Sequence, residues 1–375
     1  LGDPGFHWGS PEATLPDDFF TTWRDHDELI DGLRDLAAGH PRLREEVIGT
    51  SIEGRDIVAF HLDAADPATA ERLMLVGLQH GDEWEGGMAS AYVLDQFLNN
   101  PDEDPAIAAV ADQIDLTIVP IANPDGYAYS WTDGNRIWRR NRRDNGDGTF
   151  GVDLNRNWSF NWVADSNTGF ETYPGPSAFS EPESRALRDL VSSLPDLAMA
   201  VDIHSPFGAV LQAYASTDEA PERVDELTAL TDAMVAAMNP VDPGRSYYGN
   251  NGGFGGSGPA IDWWLAEAGS LAWAFELLKA RNDDQILLRC RESLAGALVL
   301  AGALAEPGGG TPPSITAGPT ATPDPVTGTS CALTVTATDD GPTGELGYSW
   351  SASGPTGVAF TPTDSATPTA TFAAV

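Results

Sequence analysis

Apolar residues recur at helical spacing over residues 25–36, where Leu29, Ile30, Leu33 and Leu36 fall on one face. The same spacing predicts helices over 91–98, 183–191, 222–238 and 289–304. Between them lie apolar runs at 57–62, 73–78, 116–121, 197–203 and 271–275, each long enough for a buried strand. Helices alternating with buried strands imply an α/β fold with a mixed sheet covered on both faces. Residues 1–18 show no such period and read as an irregular N-terminal arm, so the alternating region spans 19–305.

Beyond Leu304 the pattern changes. Residues 306–313 form a Gly/Pro linker, and 314–375 are poor in long aliphatic residues but rich in Thr, Ser, Ala and Pro. Residues 333–337 alternate as a half-buried strand, 348–350 read as another and 369–373 as a third. They suggest a small all-β module, cut short at Val375, with a threonine-rich stalk as the alternative.

Charge narrows the function classes. With 20 basic against 56 acidic residues the formal charge is −36, the wrong sign for a phosphate backbone or an anionic membrane. No run of about 18 apolar residues predicts a membrane span. Cys290 and Cys331 cannot make a disulfide framework, and spacing leaves open whether they pair. A chain beginning at Leu1 without a signal-like stretch, followed by an accessory module, is expected to be a mature secreted protein.

The candidate chemistry begins at His80-Gly81-Asp82-Glu83 and Asp202-Ile203-His204-Ser205. If 73–78 is a buried strand, the turn after it points His80 and Glu83 the same way at its carboxyl end. His204 ends a second strand that could lie beside the first. Two imidazoles and a carboxylate suit Zn2+, whose catalytic sites stop at three protein ligands and keep a fourth position open. A lone HxxE would be weak.

Its companions are Asn123-Pro124-Asp125-Gly126-Tyr127, Trp138-Arg139-Arg140-Asn141-Arg142, Gly151-Val152-Asp153-Leu154-Asn155-Arg156-Asn157-Trp158 and Trp273-Ala274-Phe275-Glu276-Leu277. In this order they resemble the zinc metallocarboxypeptidases of family M14, over residues 19–304. The tail resembles immunoglobulin-like or PKD-like modules of bacterial secreted enzymes. The resemblance implies an α/β/α sandwich with a mixed, mostly parallel eight-stranded sheet, one Zn2+ held by His80, Glu83 and His204, and peptide or protein C-termini as substrates.

It also implies roles. Glu276 matches the general base, which would take a proton from the attacking water and pass it to the leaving amine. Arg139 matches the cation that stabilises the oxyanion. Asn155 and Arg156 match the pair that grips a terminal carboxylate, a guanidinium forking onto two oxygens. Asp153 matches an aspartate orienting the first histidine, and a cis peptide is expected at Ser205-Pro206. Six arginines within 136–156 on so acidic a chain read as a focused anion site, although Arg140 and Arg143 fit a solvated stretch equally well.

Two departures matter. Asp82 stands where many digestive members carry arginine, an acidic group that would repel acidic side chains at an outer subsite. The lid tyrosine has no certain counterpart. Ungapped counting gives Phe254, whereas Tyr247 and Tyr248 lie just before the glycine-rich stretch 249–258, the lid candidate. Tyr248 is taken as the substrate-binding candidate. Pocket-floor positions read Leu211, Ala215, Ile261 and Ala274, an apolar set favouring apolar or aromatic terminal residues. A one-residue slip onto Asp262 would reverse that preference. The expected function is therefore a secreted, extracellular metallocarboxypeptidase. The alternatives are a peptidoglycan peptide hydrolase on the same fold and a non-catalytic protein whose tail binds a cell surface or matrix.

Overall fold

The computed structural model describes residues 14–16, 18–67, 70–99, 104–194, 197–250, 256–305, 314–322, 330–338, 358–361 and 366–372. The chain divides into two compact units, Leu1–Ala305 and Glu306–Val375.

In the first unit the order is α1 (His26–Gly39), β1 (Leu43–Thr50), β2 (Asp56–Leu62), β3 (Arg72–Gly77), α2 (Trp84–Asn99), α3 (Pro105–Ala108), β4 (Asp115–Val119), α4 (Pro124–Ser130), α5 (Pro182–Ser193), β5 (Leu197–His204), β6 (Ala209–Gln212), α6 (Val224–Met238), β7 (Tyr248–Asn250), α7 (Ala260–Ala266), β8 (Leu271–Glu276) and α8 (Asp283–Ala305). Sequence and side-chain chemistry explain the start of α1. Asp25 and Glu28 form a reciprocal capping box, and Leu29, Ile30, Leu33 and Leu36 make its buried stripe.

Eight strands form one sheet in the order β1-β2-β4-β3-β5-β8-β6-β7. Four neighbouring pairs are parallel (β4/β3, β3/β5, β5/β8, β6/β7) and three antiparallel, so the sheet is mixed with only a narrow parallel majority. Successive side chains on a strand point to opposite faces, and each face here has its own core. Leu73, Leu75, Val201, Ile203, Trp273 and Phe275 pack with residues of α1, α2, α6 and α8. Met74, Val76, Ala200, Ala272 and Ala274 pack with those of α5 and α7. That two-sided burial is why these strands read as continuous apolar runs.

The three central parallel strands β3, β5 and β8 end side by side. Gly77 pairs with Ile203, and His204 with Glu276. The crevice beyond the carboxyl ends of such strands is where open α/β sheets place ligands. β3 stops one residue short of the expected 78 because Leu78, fully buried, turns into the left-handed region at φ 56°. That local strain is worth about 1–3 kcal/mol.

In the second unit, β9 (Ser314–Thr322), β10 (Ser330–Thr338), β11 (Val358–Thr361) and β12 (Thr369–Phe372) form an antiparallel sheet in the order β11-β12-β10-β9. The expected strand at 348–350 lies outside the described residues, as do most of the N-terminal arm and Phe254. Cys290 in the first unit and Cys331 in the second are each free and buried.

Candidate active site

The turn after β3 carries His80 and Glu83, and β5 delivers His204 as its last residue. All three are buried, and their ligand atoms lie within 4.8 Å of one another. The two Nδ1 atoms face each other at 3.0 Å. Glu83 Oε1 is 3.0 Å from His80 Nδ1, and its Oε2 is 2.8 Å from His204 Nδ1. The turn can pack this tightly because residue 81 is glycine. A Cβ there would fall 2.5 Å from the Gly126 carbonyl oxygen, while Gly81 N–H donates to the Arg139 carbonyl at 2.8 Å.

Each imidazole has a carboxylate behind it. His80 Nε2 lies 3.1 Å from Asp153 Oδ1, and His204 Nε2 lies 2.6 Å from Asp202 Oδ2. A carboxylate at Nε2 holds the ring proton there. In that tautomer the two Nδ1 lone pairs would point at each other and at the Glu83 carboxylate, so the centre calls for a cation. Burial opposes a charge on the His204 ring, but without a metal Asp202 and Glu83 overcome it and hold the ring well above the usual histidine range. Two nitrogens and a carboxylate are a donor set that fits zinc.

Electrostatics follow the same pattern. Burial opposes ionisation of Glu83, but the His80 and His204 rings hold its carboxyl well below the usual range. Burial likewise opposes the charge on Asp153, which Arg139 and His80 outweigh. Arg139 donates through Nε to Asp153 Oδ2 at 3.1 Å and through Nη1 to Glu83 Oε1 at 3.2 Å. Its guanidinium is thereby fixed beside the histidine–glutamate cluster.

A cavity of about 360 Å³ opens over these groups. Its lining includes Arg139, Asn155, Arg156 and Glu276, together with Leu211, Ala215, Ile261 and Ala274. Glu276 ends β8, and its Oε2 is buried with no hydrogen-bond partner among the described residues. Burial pushes this carboxyl up to about 7, against the lowering pull of the histidines and Arg139. Asn155 is held by Ala260 N–H, which donates to Oδ1 at 2.8 Å. Arg156 lies against Gly256, where a Cβ would stand 3.2 Å from its Nε.

Asp262 does not line the cavity. It accepts from Ala215 N, Ser216 N and Ser216 Oγ at 2.5–2.8 Å, turned away so that Ile261 faces the cleft. The Ser205-Pro206 bond is cis, as expected.

Tyr248 is half exposed on the edge strand β7 and is not among the residues lining the cavity. Tyr247 is buried, its hydroxyl donating to Glu292. Arg140 and Arg143 are not a solvated stretch. Arg140 donates to the Thr168 and Phe170 carbonyls, and Arg143 to Glu181 at 2.9 Å. Sequence reasoning gave Asp202 no role of its own, although it stands two residues before His204 on the same strand face, a period-2 signal that could have exposed it. Gln79, 2.6 Å from Asp202 Oδ2 and itself reached by Trp158 Nε1 at 3.3 Å, extends that support.

The peptidase M14 family model, zinc carboxypeptidase, matches residues 29–303. A metallocarboxypeptidase A-like protein of Trichophyton verrucosum is 32% identical over 70% of this chain, which spans 64% of that relative's length. Carboxypeptidase B of Astacus astacus is 29% identical over 75% of this chain and 97% of its own. Among solved structures, carboxypeptidase A from Helicoverpa armigera superposes with a TM-score of 0.70 at 30% identity, covering 76% of this chain and 74% of that one.

Proposed function

The chain belongs to the zinc carboxypeptidase family, and on that premise we propose that it hydrolyses the last peptide bond of peptides and partly degraded proteins. His80, Glu83 and His204 would hold Zn2+. When bound, the ion supplies Lewis acidity and brings the pKa of water toward neutrality.

The protein's own groups divide the remaining work. Glu276 takes the proton of the attacking water at the buried Oε2 and delivers it to the leaving amine. Its burial supports that role, because desolvation raises the proton affinity of the carboxylate above that of an exposed glutamate. Arg139, already aimed by Asp153 and Glu83, stabilises the negative charge that develops on the carbonyl oxygen. Asn155 and Arg156 bind the terminal carboxylate, while Leu211, Ile261 and Ala274 favour an apolar or aromatic side chain.

The observation that carries this reading is Arg156 lining the same cavity as the histidine–glutamate cluster and Glu276. It also favours an exopeptidase over a hydrolase acting on peptides without a free carboxylate at that point. The relatives' names include both carboxypeptidase A and carboxypeptidase B, so preference is read from the cavity floor rather than from likeness.

The test is amino-acid release from blocked dipeptides ending in Phe, Leu, Lys or Glu, using zinc-loaded protein, chelated protein and Glu276→Gln. Release of Phe and Leu that chelation and Glu276→Gln both abolish is expected. No release of any residue by the zinc-loaded protein would refute the reading.

A further inference from the structure

Lys279 is the chain's only lysine, and it lies at the cavity wall three residues after Glu276. Its Nζ donates to the Asp82 carbonyl oxygen at 2.9 Å and to Glu85 Oε2 at 3.3 Å, with Ser205 Oγ a longer 3.5 Å away. Glu85, in the first turn of α2, has a fully buried side chain. Besides the ammonium it accepts from Ser205 Oγ at 3.0 Å and from Ala280 N–H at 2.9 Å.

These contacts join three separate segments at one point. Asp82 immediately precedes Glu83, Ser205 immediately follows His204, and Lys279 and Ala280 follow Glu276 on the segment leaving β8. Asp82 receives a second cation at the same carbonyl, Arg136 Nη1 at 2.7 Å, and that guanidinium stacks 3.6 Å over the Trp84 ring. The turn bearing Glu83 is therefore pinned from two sides.

Two simpler roles fit less well. A lysine serving as an anion-binding group on substrate would keep free donors and uncompensated charge, whereas this ammonium faces three acceptors and is matched by Glu85. A pair that only adds stability has little reason to bury a carboxylate, because the desolvation cost cancels much of the attraction. What the pair does supply is fixed geometry among segments 74 to 194 residues apart in sequence.

We propose that Lys279 is a positioning residue which, with Glu85, sets the spacing of Glu83, His204 and Glu276, and so governs metal retention and the placement of the base. This rests on the reading of those three residues as ligands and base. Partners that orient ligands from outside a metal's coordination shell typically change affinity by about 10–100-fold when lost.

The experiment is zinc affinity, measured by chelator competition, on wild type, Lys279→Met and Lys279→Arg, with kcat and KM alongside. The expected result is zinc binding weakened roughly tenfold or more in Lys279→Met, with the loss in kcat rather than KM, and recovery in Lys279→Arg. Unchanged affinity in a folded Lys279→Met, with only a lower Tm, would overturn the proposal, as would a loss that arginine does not recover. Should Lys279→Met fail to fold, Ser205→Ala removes one arm of the junction and is expected to weaken zinc several-fold. Unchanged affinity there would equally overturn it. Wild type that binds no zinc would sink the functional reading itself, a result distinct from a lysine variant matching a zinc-binding wild type.

Discussion

The Nδ1 atoms of His80 and His204 face one another 3.0 Å apart, with an aspartate behind each ring and the Glu83 carboxylate between them. Three electron-rich groups converge in a buried space, and a cation resolves their repulsion.

Metal removal should therefore cost stability as well as activity. A ligand that binds only the folded state contributes about 4 kcal/mol at a thousandfold excess over its Kd. Thermal unfolding with zinc and with chelator is expected to show a Tm lower by several degrees without the metal. Replacing His80 with Ala should abolish that difference.

Asp202→Asn is expected to weaken zinc by about 10–100-fold, since the amide can no longer hold the His204 proton at Nε2 as a carboxylate does. Chelator competition gives the value directly. Retained affinity would show that the Asp202 carboxylate does not set the His204 ring for the metal.

Ile261 faces the cleft where Asp262 turns away. Ile261→Asp should reverse the terminal-residue preference, raising the ratio of kcat/KM for Lys over Phe by at least about tenfold. The ratio is read from two blocked dipeptides, with some loss of Tm expected because the site is buried.

Burial pushes the Glu292 carboxyl from 4.5 up to about 7, partly offset by the Tyr247 hydroxyl and Arg289, while Asp242 raises it further. The folded protein then holds a proton that the unfolded chain releases. This contribution is complete below about pH 4.5 and is lost as pH rises through 7, at about 1.4 kcal/mol per unit. Glu292→Gln, which mimics the neutral acid, should match wild type near pH 5 and exceed its Tm near pH 8.

The strands β2, β3, β4, β5 and β8 were legible because burial on both faces gives unbroken apolar runs. β6 and β7, at four and three residues, are too short to show a period. β1 is mostly exposed and so carries no apolar run. The His80–Glu83–His204 cluster was legible because His204 ends a buried apolar run and the other two share the short turn that follows one. The Lys279–Glu85 junction was not, since its partners are 194 residues apart and meet only through the fold. Adjacent tyrosines illustrate the same limit. Tyr247, just before β7, turns inward to Glu292, while Tyr248, the first residue of β7, is half exposed.

The central claim is that Arg156 makes this site read a free C-terminus. The most direct measurement compares zinc-loaded protein on a blocked dipeptide ending in Phe and on its C-terminal amide. The account predicts hydrolysis of the free acid, with the amide slower by a factor of about 100 or more, because the guanidinium would lose its anionic partner. Equal rates on the two substrates would contradict it.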